Sequence, residues 1–113
     1  MKHLYEFNFF KTKEITKILK ELFKSDIDMS KIEIVEQYFN KPIYQYLYND
    51  KIYKIIFYRF LHREGGDTDQ AFLWIDDEEI DIEDYSICQA EFLYKKLDLL
   101  YKNFHNVTDK YNL

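Results

Sequence analysis

Two runs, residues 43–48 and 52–61, are rich in Tyr, Ile and Phe and are separated by Asn49-Asp50. Asn and Asp tolerate the positive φ values of a two-residue turn, so this pattern predicts a β-hairpin. The second run is the strongest constraint on the fold. Ile52, Lys54, Ile56, Tyr58 and Phe60 alternate with Tyr53, Ile55, Phe57 and Arg59, so both faces of that strand are largely apolar. Such a strand belongs in the middle of a sheet, covered on both sides. On the first strand Tyr44, Tyr46 and Tyr48 share one face and Ile43, Gln45 and Leu47 the other. Tyrosine combines an apolar body with a polar tip, which suits a contact surface. The tyrosine-rich face is therefore expected to meet an internal cover, a second copy in a homodimer, or another partner.

The remaining elements follow from periodicity and punctuation. Residues 2–10 read as a strand with Tyr5, Phe7 and Phe9 on one face. Residues 13–24 read as a helix, capped by Thr12, with Ile15, Ile18, Leu19, Leu22 and Phe23 in one stripe. Ser30 and Glu33 form a capping-box pattern that favours a short helix through about Phe39, although Ile32-Glu33-Ile34 also alternates like a strand. Strands are expected at 70–75 and 79–83, separated by Asp76-Asp77, after a looser turn at Gly65-Gly66-Asp67. Ser86 with Gln89 opens a final helix over about 87–104, whose stripe runs through Ala90, Leu93, Tyr94, Leu97, Leu100, Tyr101 and Phe104. The expected fold is α+β, in the order β-α-(α)-β-β-β-β-α. Its sheet is mainly antiparallel with four to five strands, and its helices pack on one face. Residues 1–105 form one domain, and 106–113 a polar tail.

Length and composition agree with one aromatic core. The chain has 113 residues, of which 19% are aromatic, with only two Gly and one Pro. The single cysteine, Cys88, excludes an internal disulfide and a cysteine metal cluster. It is expected to be a buried structural residue. Glu6, Asn8 and Lys11 interrupt the start as a secretory signal, and no apolar run is long enough to span a bilayer. A cytoplasmic protein is expected.

Charge is segregated. Residues 64–91 carry eleven acids and no Lys or Arg, within a net charge of −5. Seven of them, Asp76, Asp77, Glu78, Glu79, Asp81, Glu83 and Asp84, fall in nine consecutive residues. On a strand, Glu79, Asp81 and Glu83 share one face at intervals of about 7 Å, twice the rise per residue. That is close to the phosphate spacing along a nucleic-acid strand, so the row can imitate nucleic acid to a basic groove. The competing reading is an edge strand protected from aggregation by its charges.

Other chemistry is poorly supported. Asp67, Asp69 and Glu78 partly match a calcium loop, but Phe72 stands where glycine is needed and Ala71 replaces an oxygen ligand. His3, His62 and His105 lack metal-ligand spacing, and His62-Arg63-Glu64 brings no nucleophile or second base. Cys88 and His105 are too far apart along one helix to form a dyad. Gly65-Gly66 lacks the residues of a phosphate loop. Lys13, Lys17, Lys20 and Lys24 are interspersed with Glu14 and Glu21 and read as a solvated helix face. No catalytic residue, metal site or cofactor is expected.

In size and acidity the chain is similar to anti-CRISPR proteins, DNA mimics and toxin-immunity proteins, a likeness of type that covers no motif. Its bias toward Lys, Ile, Asn, Tyr and Phe is common in AT-rich bacteria and their mobile elements. The reading is a non-catalytic acidic inhibitor of a basic, nucleic-acid-handling protein, with no direct contact to nucleic acid or membrane. Its expected contacts are the seven acids of 76–84 with Tyr44, Tyr46 and Tyr48. The alternatives are an immunity protein neutralising a toxin and a small metal-dependent enzyme.

Overall fold

The computed structural model describes residues 2–61, 64–82 and 86–111, with side chains described for 13–61, 64–82 and 86–106. Helix α1 (Lys2–Lys24) is followed by a 3-10 turn (Met29–Lys31). Strands β1 (Glu33–Tyr38), β2 (Lys41–Tyr48), β3 (Lys51–Leu61), β4 (Asp67–Ile75) and β5 (Glu78–Ile82) come next, and helix α2 (Ile87–Tyr111) closes the chain. The sheet order is β1-β2-β3-β4-β5, and every neighbouring pair is antiparallel. The fold is α+β, an open five-stranded sheet with two helices, and β3 is its central strand.

Three of the four hairpins use two-residue turns with both residues at positive φ. These are Phe39-Asn40 (50° and 63°), Asn49-Asp50 (49° and 63°) and Asp76-Asp77 (49° and 70°). Turns of this hand match the twist of the flanking strands, so they set the register. Asp76 reinforces its turn: its carboxylate accepts from Ile52 N at 2.9 Å, and its own N–H donates to Ile52 O at 2.9 Å. The β3–β4 connection contains Gly65 and Gly66, at φ 111° and 75°; His62 and Arg63 lie outside the described residues.

Two expected elements change type. Residues 2–10 are helix, not strand, and continue into 13–24 as α1. Leu4, Phe7 and Phe10 also fit a spacing of three, and no Gly or Pro separates them from Ile15. Extending a nucleated helix costs less than starting a new element, so the helix runs back through Thr12, which is not its cap. The expected second helix at 31–39 is strand β1. Asp28, not Ser30, caps the chain there: its carboxylate accepts from Ser30 N at 3.0 Å and from Ser30 Oγ at 2.7 Å. The capping box is thereby lost. β-branched Ile32, Ile34 and Val35 then favour the extended chain.

Both helices lie on one face of the sheet. Ile15, Leu19 and Leu22 of α1 and Ala90, Leu93, Tyr94 and Leu97 of α2 are buried against it. The helices run side by side in the same direction. The Thr16 and Ser86 hydroxyls hydrogen-bond near the start of α2, the Phe23 and Phe92 rings meet further along, and Lys96 Nζ donates to the carbonyls of Phe23 and Ser25. Cys88 is exposed rather than buried. It shares helical spacing with exposed Phe92, Lys95 and Leu99, on the outward side of α2. The helix also runs past its expected end near 104, to Tyr111, and so takes in most of the expected tail.

The register assigns the helix-covered face. Tyr44 pairs with Ile55, which pairs with Leu73; Tyr46 pairs with Tyr53, and Phe57 with Ala71. All of these are buried. The Tyr44 ring lies 5.4 Å from that of Tyr94 and 5.5 Å from that of Tyr101, and its hydroxyl donates to Asp98. The Tyr94 hydroxyl donates to Pro42 O at 2.6 Å. Burial, followed by the hydrogen bond to Asp98, pushes the Tyr44 phenol far above its ordinary range. Burial, followed by the nearby Asp98 charge, does the same to Tyr94. A phenol whose pKa is raised in the fold contributes stability that is complete below the unfolded pKa and is lost as pH rises toward the folded one. Above about pH 10 each such tyrosine is expected to lower the unfolding free energy by up to about 1.4 kcal/mol per pH unit. Urea midpoints followed from neutral to strongly alkaline pH test this, and Tyr44→Phe should flatten the decline.

Candidate functional site

The opposite face of the sheet has no helical cover among the described residues. It carries Tyr38 of β1, Ile43 of β2, Ile56, Tyr58 and Phe60 of β3, and Phe72 and Trp74 of β4, as the pairs Ile56↔Phe72 and Lys54↔Trp74 require. Their rings form a continuous band. Centroids lie 4.5 Å apart for Tyr38 and Phe39, 5.5 Å for Phe39 and Phe60, 4.9 Å for Tyr58 and Phe60, and 6.2 Å for both Tyr58–Phe72 and Phe72–Trp74. The band is open to solvent at Phe39 (64% exposed), Tyr38 (44%) and Phe60 (37%). Tyr58 is buried beneath its neighbours, and its hydroxyl donates to Gln70 Oε1 at 2.5 Å. Leu47 and Ile52, exposed on the same face, extend the apolar surface.

The two edges of this face are acidic. On β5, Glu79 pairs with Trp74 and Asp81 with Phe72, so both exposed carboxylates flank the aromatic band. On β1, exposed Glu33 pairs with Gln45 and exposed Glu36 with Ile43. Beside Asp81 and Phe72 a shallow depression opens, lined also by Thr68, Asp69, Gln70 and Ile87.

The expected acids do not act as one row. Asp76 is engaged in its turn with Ile52, and Asp77 pairs with Lys54 at 3.0 Å. Glu78 pairs with Ile75, on the helix-facing side of the register. Glu79 and Asp81 share the uncovered face, with Ile80 and Ile82 on the other, as the alternation predicts. Glu83 and Asp84 lie outside the described residues.

The tyrosines are a correction. Tyr44, Tyr46 and Tyr48 do share a face, but it is the face under the helices. Tyr44 is 1% exposed and Tyr46 is buried with it, while Tyr48, half-buried, stacks against Tyr46 at 6.2 Å. Their cover is internal, as one of the expected alternatives had it, so Tyr44 and Tyr46 are closed to a partner while Tyr48 keeps part of its surface. The aromatics of the uncovered face are Tyr38, Phe39 and Phe60, which are exposed, and Phe72 and Trp74, which are half-buried. The alternation along β3 and β4 contained that signal, because Tyr58 and Phe60 share a parity, as do Phe72 and Trp74.

Arg59 lies on the helix side, in a bidentate pair with Asp69 (2.6 and 3.1 Å) and 3.2 Å from Glu91. The Asp69 partner holds the guanidinium above its ordinary range, and the same contact holds Asp69 below the usual carboxylate range. Among the described residues no three His, Cys, Asp or Glu side chains are grouped to hold a metal ion. No described helix is long and apolar enough to cross a membrane. Comparisons with protein-family models, curated proteins and solved structures find no match.

Proposed function

We propose that the protein is a non-catalytic acidic binding protein of the cytoplasm that inhibits a basic, nucleic-acid-handling protein by occupying its cationic surface. The observation that carries this reading is the run of eleven acids without a Lys or Arg in residues 64–91, which includes the exposed pair Glu79 and Asp81 on an edge strand. A negative edge of this kind steers a basic partner into encounter and repels free nucleic acid and anionic membrane. Capture from a host lysate at low and high salt is the test. The proteins recovered are expected to be basic and to be released as salt rises, with a charge-reversed Glu79/Asp81 protein as the control bait. Recovery of salt-independent partners alone would contradict the proposal.

The exposed rings favour a second reading within the same class. Hot spots of tight complexes are aromatic and become desolvated on binding, as a dedicated toxin–immunity pair requires. A toxin gene beside this one would favour immunity, and an anti-defence cluster the first reading.

A further inference from the structure

We infer that the uncovered sheet face is itself the docking surface, and that its occupant is a cationic protein segment carrying Arg or Lys between apolar side chains. This rests on the proposed role as a binder of basic proteins and moves the contact from the acidic strand alone onto the whole face. Three observations lead there. The face is aromatic at its centre and carries four exposed acids at its edges, Glu79 and Asp81 on β5 and Glu33 and Glu36 on β1, against two lysines, Lys41 beside Tyr38 and Lys54 beside Trp74, the second of them already paired with Asp77. Such a surface complements a chain with apolar side chains and cations. Guanidinium and ammonium groups are attracted to ring faces, and to carboxylates beside them. Asp81 next to Phe72, over the shallow depression at the β4–β5 edge, combines both attractions at one point.

The second observation is Phe39. It occupies a left-handed turn position (φ 50°) that Asn, Asp or Gly adopt at lower cost, and it is also the most exposed ring of the band. The backbone gains nothing from a phenylalanine there, and the ring, although it meets Tyr38, Tyr58 and Phe60, stays 64% exposed. A contact with something outside the chain gains from it, which is how strain and function coincide.

The third observation concerns the competing occupants. If two copies stacked these faces with aligned strands about a two-fold axis, β5 would lie over β1 of the other copy, or each edge strand over its own mate. Both arrangements set carboxylates against carboxylates, which disfavours a homodimer here. Single-stranded nucleic acid also stacks on aromatic sheets, but its phosphates would meet the same acidic rims in a chain of net charge −5.

The chain carries its own reporter, because its single tryptophan, Trp74, lies on this face opposite Glu79. The purified full chain is titrated with an end-capped peptide of alternating Arg and Val, with the Glu–Val counterpart and with a short oligouridylate, while Trp74 emission is followed. The Arg–Val peptide alone is expected to give a saturable change. Phe39→Asn and Phe60→Ser should each weaken its binding about tenfold, the usual effect of truncating an aromatic anchor. Phe39→Asn exchanges ring packing on Tyr38, Tyr58 and Phe60 for an easier left-handed backbone, so its thermal midpoint is expected to shift little, and a protein still fully folded at the titration temperature shows that the loss of binding does not come from unfolding. Phe92→Ser, on the helix side, should leave binding unchanged.

Four results would overturn the inference. If Glu79→Lys/Asp81→Lys abolishes binding while Phe39→Asn and Phe60→Ser do not affect it, the acidic edge alone docks and the broader functional reading survives. A saturable response to oligouridylate in place of the peptide would make the face a nucleic-acid platform. Sedimentation as a dimer that Phe60→Ser dissociates would make the occupant a second copy. No response to either peptide up to about 1 mM would remove the docking surface and the functional reading together.

Discussion

Tyr44→Ala is expected to destabilise the protein by about 3–5 kcal/mol, the range for removing a buried aromatic ring. Tyr44 is 1% exposed, packs against Tyr94 and Tyr101, and donates to Asp98. Alanine would leave a ring-sized gap between β2 and α2 and take away one partner of Asp98. A domain of this size is stable by only about 5–15 kcal/mol, so the loss is a large share of the total. Tyr44→Phe separates the two effects. It keeps the ring, and Asp98 keeps Lys102 at 2.9 Å, so its cost should fall to about 1 kcal/mol. Urea denaturation measures both. Phe60→Ser supplies the contrast, because Phe60 lies three register positions along β3 from buried Phe57 but on the uncovered face, and should cost well under half as much. Equal losses for Tyr44→Ala and Phe60→Ser would mean that the two faces of the sheet are not distinguished as described.

That contrast marks where the sequence was legible and where it was not. The hairpin of β2 and β3 was readable because Asn49-Asp50 is a strong turn signal between two apolar runs. The helix stripes were readable because Leu19 and Leu22, or Leu93 and Leu97, recur at helical spacing over several turns. Residues 2–10 and 31–39 were not. Each is short enough to fit both periods, and the deciding facts are non-local or subtle: uninterrupted propagation from α1, and Asp28 displacing Ser30 as cap. The alternation also grouped Tyr44, Tyr46 and Tyr48 correctly but could not say which side the helices choose, because β3 is apolar on both. The choice follows from β4. Its helix-facing positions, Ala71 and Leu73, are compact and fully buried, so a helix can approach closely. Its other positions, Phe72 and Trp74, stand too tall for that and stay half-buried on the opposite face. The acidic strand was legible as far as its faces, since Glu79 and Asp81 do share a side. That Asp76 and Asp77 are tied up with Ile52 and Lys54 depends on long-range pairing that no spacing reveals.

Reversing the acids on β5 separates recognition from mere protection of an edge. Both Glu79 and Asp81 are exposed, on a short edge strand. If their role is only to keep that edge from pairing with other chains, lysine serves as well as glutamate, because edge lysines are themselves a common safeguard. Glu79→Lys/Asp81→Lys should then leave stability, solubility and partner binding alike unchanged. If the carboxylates meet cations of a partner, the fold should still be preserved to within about 0.5 kcal/mol, as for most surface changes. Binding would not be. Each reversal replaces an attraction with a repulsion, and the pair is expected to weaken the affinity for a basic partner about a hundredfold at low salt. Much of this should appear as a slower association rate, because rim charges act mainly on encounter. Rising salt should weaken the unaltered protein and leave the reversed one nearly unaffected or improved, so that their affinities converge. Surface-immobilised partner, with association rates followed from low to high ionic strength, reads all three quantities. Affinities that differ equally at every salt concentration would exclude electrostatic steering by this strand.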